Sequence, residues 1–151
     1  MNTIQQFVQQ LEQAHEGGAW HGPSVKEALE GVDAAAAARR PIAGAHNIYE
    51  IVHHLRVVDN LVIAHFRGEA PSDENDWPEA GAEVGEEGWL EAVAGLEASQ
   101  KALRETVAAL PDAAIGQSVP GKEMTYGAEL VGILNHDLYH TGQIVLLRKA
   151  G

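Results

Sequence analysis

Apolar residues recur at intervals of three and four positions in four long segments of the chain, which is the period of a helix with one buried face. The segments are residues 3–15, 46–66, 89–110 and 126–149. Gly68 and Pro111 stand where the second and third segments would end, and lysine and arginine close the fourth, where the helix dipole favours positive charge. No segment alternates as a strand would. The pattern therefore predicts an all-α fold, a four-helix bundle.

The connections between these segments contain the turn signals. Ser24 is placed to cap a short helix through "VKEALEG", and the run "VDAAAAARRP" favours helix until Pro41 ends it. The polar loop 68–88 is unusually long for a compact domain, which indicates a crossover connection or a lid over a functional site. The connection "DAAIGQSVPGKEM" is rich in turn residues and leaves room for a short extended piece.

Length and composition limit the class of protein. A chain of 151 residues that is 45% apolar fits a single globular domain, here residues 1–151. Its start has neither the basic residues nor the apolar run of a secretory signal, so we expect a cytoplasmic location. There are no cysteines, so a metal would need histidine, carboxylate or water ligands, and thiol chemistry would need a thiol brought in as a substrate.

The net charge of −12 limits the classes of partner that the protein can bind. Such a surface repels phosphate backbones and anionic lipid, so we expect binding to neither nucleic acid nor membranes. A small-molecule substrate is the expected partner.

Two histidines carry the clearest chemical signal. His136 and His140 lie four residues apart in "NHDLYHTGQIVLL", which on a helix places their Cβ atoms about 5–6 Å apart. Both rings could therefore reach one metal ion, although helical histidine pairs also occur simply as solvated residues. The pair shares a helical stripe with Ile133, Gln143 and Leu147, so it lies in line with the core, where two unpartnered imidazoles would be costly.

A third ligand is expected from the second long helix. His54 lies roughly 80° from the centre of that helix's apolar stripe and leans inward, whereas His53 points nearly opposite and is expected to be solvated. His65 also leans inward and is the rival third ligand. His15 and His21 lie beside loops and carry no spacing signal.

Two carboxylates are candidates for a catalytic base or for holding a ligand ring. Glu50 is one turn before His54, and Glu129 is two turns before His136, although exposed helix glutamates are common. Asp137 is expected to point to another side of its helix. Trp20, Trp77 and Trp89 lie in or beside the connections, where they would pack at the rim or line a substrate site.

Taken together, the segments "WHGPSVKEALEG", "RPIAGAHNIYEIVHHLRVVDN" and "NHDLYHTGQIVLLRK" resemble the DinB-like superfamily (the DinB/YfiT group) of bacterial metal-binding four-helix bundles. The last segment is the most specific. The resemblance implies that His54, His136 and His140 hold a divalent metal, and that the protein is a homodimer. Relatives of this kind include S-transferases that use bacillithiol, isomerases that use mycothiol, and metal-dependent hydrolases.

The predicted function is a metal-dependent enzyme with zinc or nickel. A thiol-dependent S-transferase is the first choice: it would bind a low-molecular-weight, bacillithiol-like thiol as a thiolate and direct it at an electrophile. One alternative is a hydrolase with a metal-activated water. Another is a non-catalytic metal-binding or stress-response protein, with a fourth ligand such as His65. A further alternative is that the helices form an interaction module and the histidines bind nothing.

Overall fold

The structure is a computed structural model that describes residues 1–79 and 84–151. Its helices, in chain order, are α1 (Thr3–Glu16), α2 (Val25–Leu29), α3 (Ala34–Ala38), α4 (Ile48–Arg67), α5 (Glu86–Ala108), a 3-10 helix (Asp112–Gly116) and α6 (Tyr126–Ala150). The predicted loop 68–88 includes residues 80–83, which lie outside the described residues.

Polar side chains fix where three of the helices begin. Asn2, Ser24 and Asn47 each accept a hydrogen bond from the backbone N–H three residues on, and the side chain at that position bonds back to the cap. These reciprocal pairs satisfy donors that a helix start leaves free. The periodicity predicts that this helix begins at His46. It begins at Ile48 instead, because Asn47 caps it there.

The four long helices pack in the cyclic order α1, α5, α4, α6. Each therefore contacts two long neighbours, with α4 packed most extensively on α5. The short helix α2 lies against α1 and α6, and α3 lies against α4 and α5. The prediction of an all-α helical bundle is confirmed, since the described residues form six α-helices and one 3-10 helix, and only an isolated bridge between Ser118 and Thr125 has extended pairing.

The core consists of two apolar clusters separated by a buried polar layer. One cluster contains the second half of α4, with Val62 and Phe66, together with parts of α1, α5 and α6. The other contains the first half of α4, with Ile51 and Leu55, together with α2, α3 and parts of α5 and α6. The layer between them comprises Asp59, Ser99, Gln100, Asp137 and Thr141, all buried.

Residues 69–79 run back along α4. Arg56 on α4 forms an ion pair with Glu74, and His53 Nε2 lies 3.1 Å from the carbonyl oxygen of Asn75. His53 was predicted to be solvated; it is instead partly covered, because this segment lies over its side of α4. None of the helices in the described ranges combines the length and the apolar character that a membrane crossing needs.

Candidate metal centre

His54 on α4 meets His136 and His140 on α6, its neighbour in the bundle. Each of the three side chains offers a nitrogen, and these nitrogens all lie within 4.8 Å of one another. The structure thus brings together the three residues that the sequence predicts as ligands. Among residues 1–79 and 84–151, no fourth histidine or carboxylate belongs to this cluster.

The hydrogen bonds of two rings fix which nitrogen faces the cluster. His54 Nδ1 lies 3.2 Å from the carbonyl oxygen of Asp76, which can only accept, so Nδ1 carries the proton. His140 Nδ1 lies 2.7 Å from Gln143 Oε1 and donates to it in the same way. In both neutral rings the lone pair is therefore on Nε2, and the partners hold the rings in the orientation that a metal ligand needs.

The position of the third ring, His136, favours a cation between the histidines. His136 Nε2 lies 3.0 Å from His54 Nε2. The other nitrogen of His136, Nδ1, is buried without a hydrogen bond and lies 3.7 Å from Asp137 Oδ1. If the proton of His136 is on Nδ1, facing that carboxylate, two nitrogen lone pairs oppose each other across 3.0 Å. A proton or a metal ion between them removes this repulsion.

The surroundings keep two of the three imidazoles uncharged. Burial lowers the pKa of His140 to about 4, helped by the nearby His136 and opposed by the hydrogen bond to Gln143. The pKa of His54 is also lowered, first by burial and then by His136. Both imidazoles are therefore neutral at pH 7, and neutral imidazole is the form that binds metals.

An aromatic stack covers one side of His54. The indole of Trp77 lies flat against the His54 ring, with centroids 4.0 Å apart and planes within 7°. Its other partner is His46, at 3.6 Å and 4°. Trp77 therefore lies at the site, as the rim or substrate-lining role predicts, while Trp20 is fully exposed and Trp89 is buried in the core. Stacking on Trp77 limits the access of water to His54.

Glu50 is tied into the start of α4. Its carboxylate accepts hydrogen bonds from the backbone N–H of Asn47 and from His46, and it forms an ion pair with Arg40. Burial alone would raise the pKa of Glu50, but these bonds outweigh it and lower the pKa. None of the bonds goes to the three histidines. They favour a positioning role, through His46 and Trp77, and the catalytic role of Glu50 stays a prediction.

Glu129 pairs with His65, the rival third ligand. His65 Nδ1 lies 2.6 Å from Glu129 Oε1, and both side chains are largely buried. His65 lies about three turns further along α4 than His54, and only His54 belongs to the cluster. Glu129 Oε2 is buried without a hydrogen bond. A catalytic role for Glu129 likewise stays a prediction, and its contact with His65 favours a structural one.

Two buried aspartates behind His136 are the residues that sequence reasoning missed. Gln100 Nε2 donates to both oxygens of Asp59 at 2.9 Å and lies 3.3 Å from Asp137 Oδ2. Burial, and then the charge of Asp137, raises the pKa of Asp59 well above its usual range. Asp137 was expected to point away from the histidines, yet its other oxygen faces His136. The burial of Asp59 could have been predicted from the sequence, because this residue lies four positions after Leu55 and so on the buried face of α4.

Comparisons with known proteins show the family and the fold of the chain. Residues 19–144 match the family model of the DinB superfamily, which is most of the chain. The chain belongs to the DinB superfamily. A crystal structure of a conserved protein from Enterococcus faecalis superposes on this DinB chain with a TM-score of 0.74, at 19% identity, over 99% of this chain and 97% of that one. It shows a shared fold. Comparison with curated proteins gives no match.

The residues of this DinB chain fit a divalent metal. Three imidazoles converge, two of them neutral and with fixed tautomers, and a carboxylate lies behind the third, an arrangement common around histidine ligands. The donor set is nitrogen only, which suits zinc, nickel, copper and iron. The geometry does not select among them.

Replacing Asp137 tests the carboxylate behind His136. We expect Asp137→Asn to weaken zinc binding by about tenfold, the lower end of what the loss of such a partner costs, since the contact is longer than a hydrogen bond. Affinity would be measured by competition with a coloured chelator, with the exposed Asp73→Asn as control. Unchanged affinity in a folded Asp137→Asn protein would contradict the proposed contribution.

Proposed function

We propose that this DinB protein is a metal-dependent enzyme, and specifically an S-transferase that joins a low-molecular-weight thiol to an electrophilic substrate. The observation that carries the proposal is the convergence of three histidines, His54, His136 and His140, without a fourth ligand among the described residues. Catalytic sites have three protein ligands and an open position, whereas structural sites are closed by a fourth.

The contacts of His65 support an enzyme over a closed binding site. His65 was the candidate for a fourth ligand, and it is engaged with Glu129. When bound, zinc or nickel would lower the pKa of a thiol or of water and so make a nucleophile available at neutral pH. A thiol is the preferred choice because the chain has no cysteine of its own.

The chain's own residues would hold and shield the reacting groups. Asp76 and Gln143 keep His54 and His140 in one tautomer, so neither ring has to reorient during turnover. The stacked pair His46 and Trp77 excludes water from one side of the site, which strengthens electrostatic interactions there. The segment 74–76 lies over the same side of α4, and this supports its role as a lid.

The test is conjugation of a thiol to monochlorobimane, followed by fluorescence. We expect the zinc- or nickel-loaded protein to accelerate the reaction with at least one thiol among bacillithiol, cysteine, coenzyme A and glutathione. His140→Ala should reduce the rate to that of the metal-free protein, while His21→Ala, at an exposed histidine, should not. Equal rates with and without metal for all four thiols would exclude the transferase, and ester hydrolysis without thiol would establish a hydrolase instead.

A further inference from the structure

A cavity of about 300 Å³ lies close to the three histidines, although none of them is among its lining residues. It is bounded by the connection before α4, the first turns of α4 and the last turns of α6. One of its lining residues contacts the cluster directly, and another contacts it through Trp77. Gln143 accepts the hydrogen bond of His140, and His46 stacks on Trp77, which in turn stacks on His54. The cavity and the metal centre therefore share a wall.

The rest of the lining is apolar. The larger side chains are Ile42, Ile51, Leu146 and Leu147, and glycine and alanine complete the wall. None of the lining residues is an aspartate, glutamate, lysine or arginine, although the protein as a whole carries 32 such residues, 22 acidic and 10 basic. Leu146 is 61% exposed and Ile42 is 42% exposed, so an apolar group entering the cavity would cover side chains that otherwise face water.

The polar groups of the lining occur only on the side of the histidines. His46 and Gln143 are the two side chains of the wall that form hydrogen bonds. Gln143 is bonded to His140, and the indole of Trp77 lies between His46 and His54. A molecule placed here would thus have an apolar end among Ile42, Leu146 and Leu147 and a polar end at His46 and Gln143, the side of the cavity towards the metal centre. Small-molecule sites commonly combine apolar walls with a few polar groups that fix orientation.

We propose that this cavity selects substrates that carry an uncharged apolar group, a short alkyl chain or a single ring, attached to the reacting end. The proposal rests on the proposed function, because it places the reacting end at the three histidines. The volume is at the lower end of the range of small-molecule sites, about 300–1,000 Å³, and so fits a small group. The lack of charge in the lining disfavours ionised groups at that end.

Two hydroxamates that differ only in chain length isolate the contribution of the cavity. Acetohydroxamate and hexanohydroxamate have the same metal-binding head, so the ratio of their affinities for the zinc-loaded protein, measured by calorimetry, reports where the chain lies. We expect hexanohydroxamate to bind at least about tenfold more tightly, since burial of two methylene groups gives roughly that factor.

The matched variants are Leu146→Glu and Leu90→Glu. Both leucines have nearly equal exposure, 61% and 60%, and only Leu146 lines the cavity. Leu146→Glu should bring the ratio close to one, and Leu90→Glu should leave it as in the wild type. Any general effect of the added charge on the anionic head cancels in the ratio. The proposal also requires unchanged zinc content and melting temperature in both variants.

Two results would overturn the proposal. In one, the ratio of the two affinities is near one in the wild type, or the wild-type ratio persists in Leu146→Glu. Either result would mean that the alkyl chain of the ligand lies outside the cavity. In the other, Leu146→Glu changes only the oligomeric state in sedimentation, and the apolar surface is then a contact between copies of the chain. Failure of the transferase is distinguishable from both, because absence of thiol conjugation leaves the affinity ratio unaffected.

Discussion

Replacing His140 with alanine is expected to abolish stoichiometric zinc binding, with an affinity loss greater than the roughly 100-fold that an outer partner can contribute. The ring is buried, its Nδ1 is held by Gln143, and its pKa of about 4 keeps it neutral at pH 7, so it is prepared to bind without reorganisation. Its removal leaves two histidines, one short of the set that a catalytic site uses. Elemental analysis of protein purified without chelator gives the metal content.

The same change should remove the effect of metal on stability. A ligand that binds only the folded state stabilises it by an amount that grows with concentration over the dissociation constant. We therefore expect zinc to raise the melting temperature of the wild type and of His21→Ala, but not that of His140→Ala. Comparing each protein with and without metal separates this effect from the packing that the imidazole contributes. Equal zinc content in His140→Ala and the wild type would disprove the assignment.

The sequence predicts the helices of this fold well because each long helix has one buried face. It also predicts the pairing of His136 with His140, since that distance is set within one helix. The choice of His54 over His65 required more, since both lean inward from α4. The structure places His54 beside His136 and His140, whereas His65 lies about three turns away along α4 and is paired with Glu129.

The features that the sequence does not predict all depend on contacts between distant segments. Trp77 lies in a polar stretch without periodicity, and only the path of residues 69–79 along α4 brings it between His46 and His54. The buried layer is similar, because Asp59 and Asp137 meet through Gln100 on a third helix. Helical periodicity places each of these residues on a face, but it does not show which residues of other helices that face meets.

The positions of the histidines say more about where a metal would bind than about which reaction occurs, and the reason is physical. Three imidazoles around one point fix where a metal would bind, but they suit several metals and several nucleophiles. What distinguishes one reaction from another is the shape and charge of the space beside them. If the substrate occupies the cavity lined by Gln143 and His46, as proposed above, the lack of charged side chains there argues for an apolar substrate.

His15 should make folding stability depend on pH. The side chain is 1% exposed, and neither ring nitrogen has a hydrogen bond. Burial lowers its pKa to about 4, against the charge of Glu16 and together with those of Arg104 and Lys26. The unfolded chain binds a proton near pH 6.5 and the folded protein does not, so stability falls as the pH drops from 6.5 towards 4. The full loss is about 3 kcal/mol, and about 1.4 kcal/mol is lost by pH 5.5.

The variant His15→Leu should lack this part of the pH dependence. We expect the free energy of unfolding in urea, measured on metal-free protein, to fall less between pH 7.5 and 5.5 in His15→Leu than in the wild type, by about 1.4 kcal/mol. His54 and His140 also have lowered pKa values, but their contributions occur in both proteins and cancel in the difference. His21→Leu, at an exposed site, should behave as the wild type. Parallel pH profiles for the wild type and His15→Leu would contradict the prediction. They would mean that His15 binds its proton equally well in the folded and the unfolded protein, which its burial without a partner does not allow.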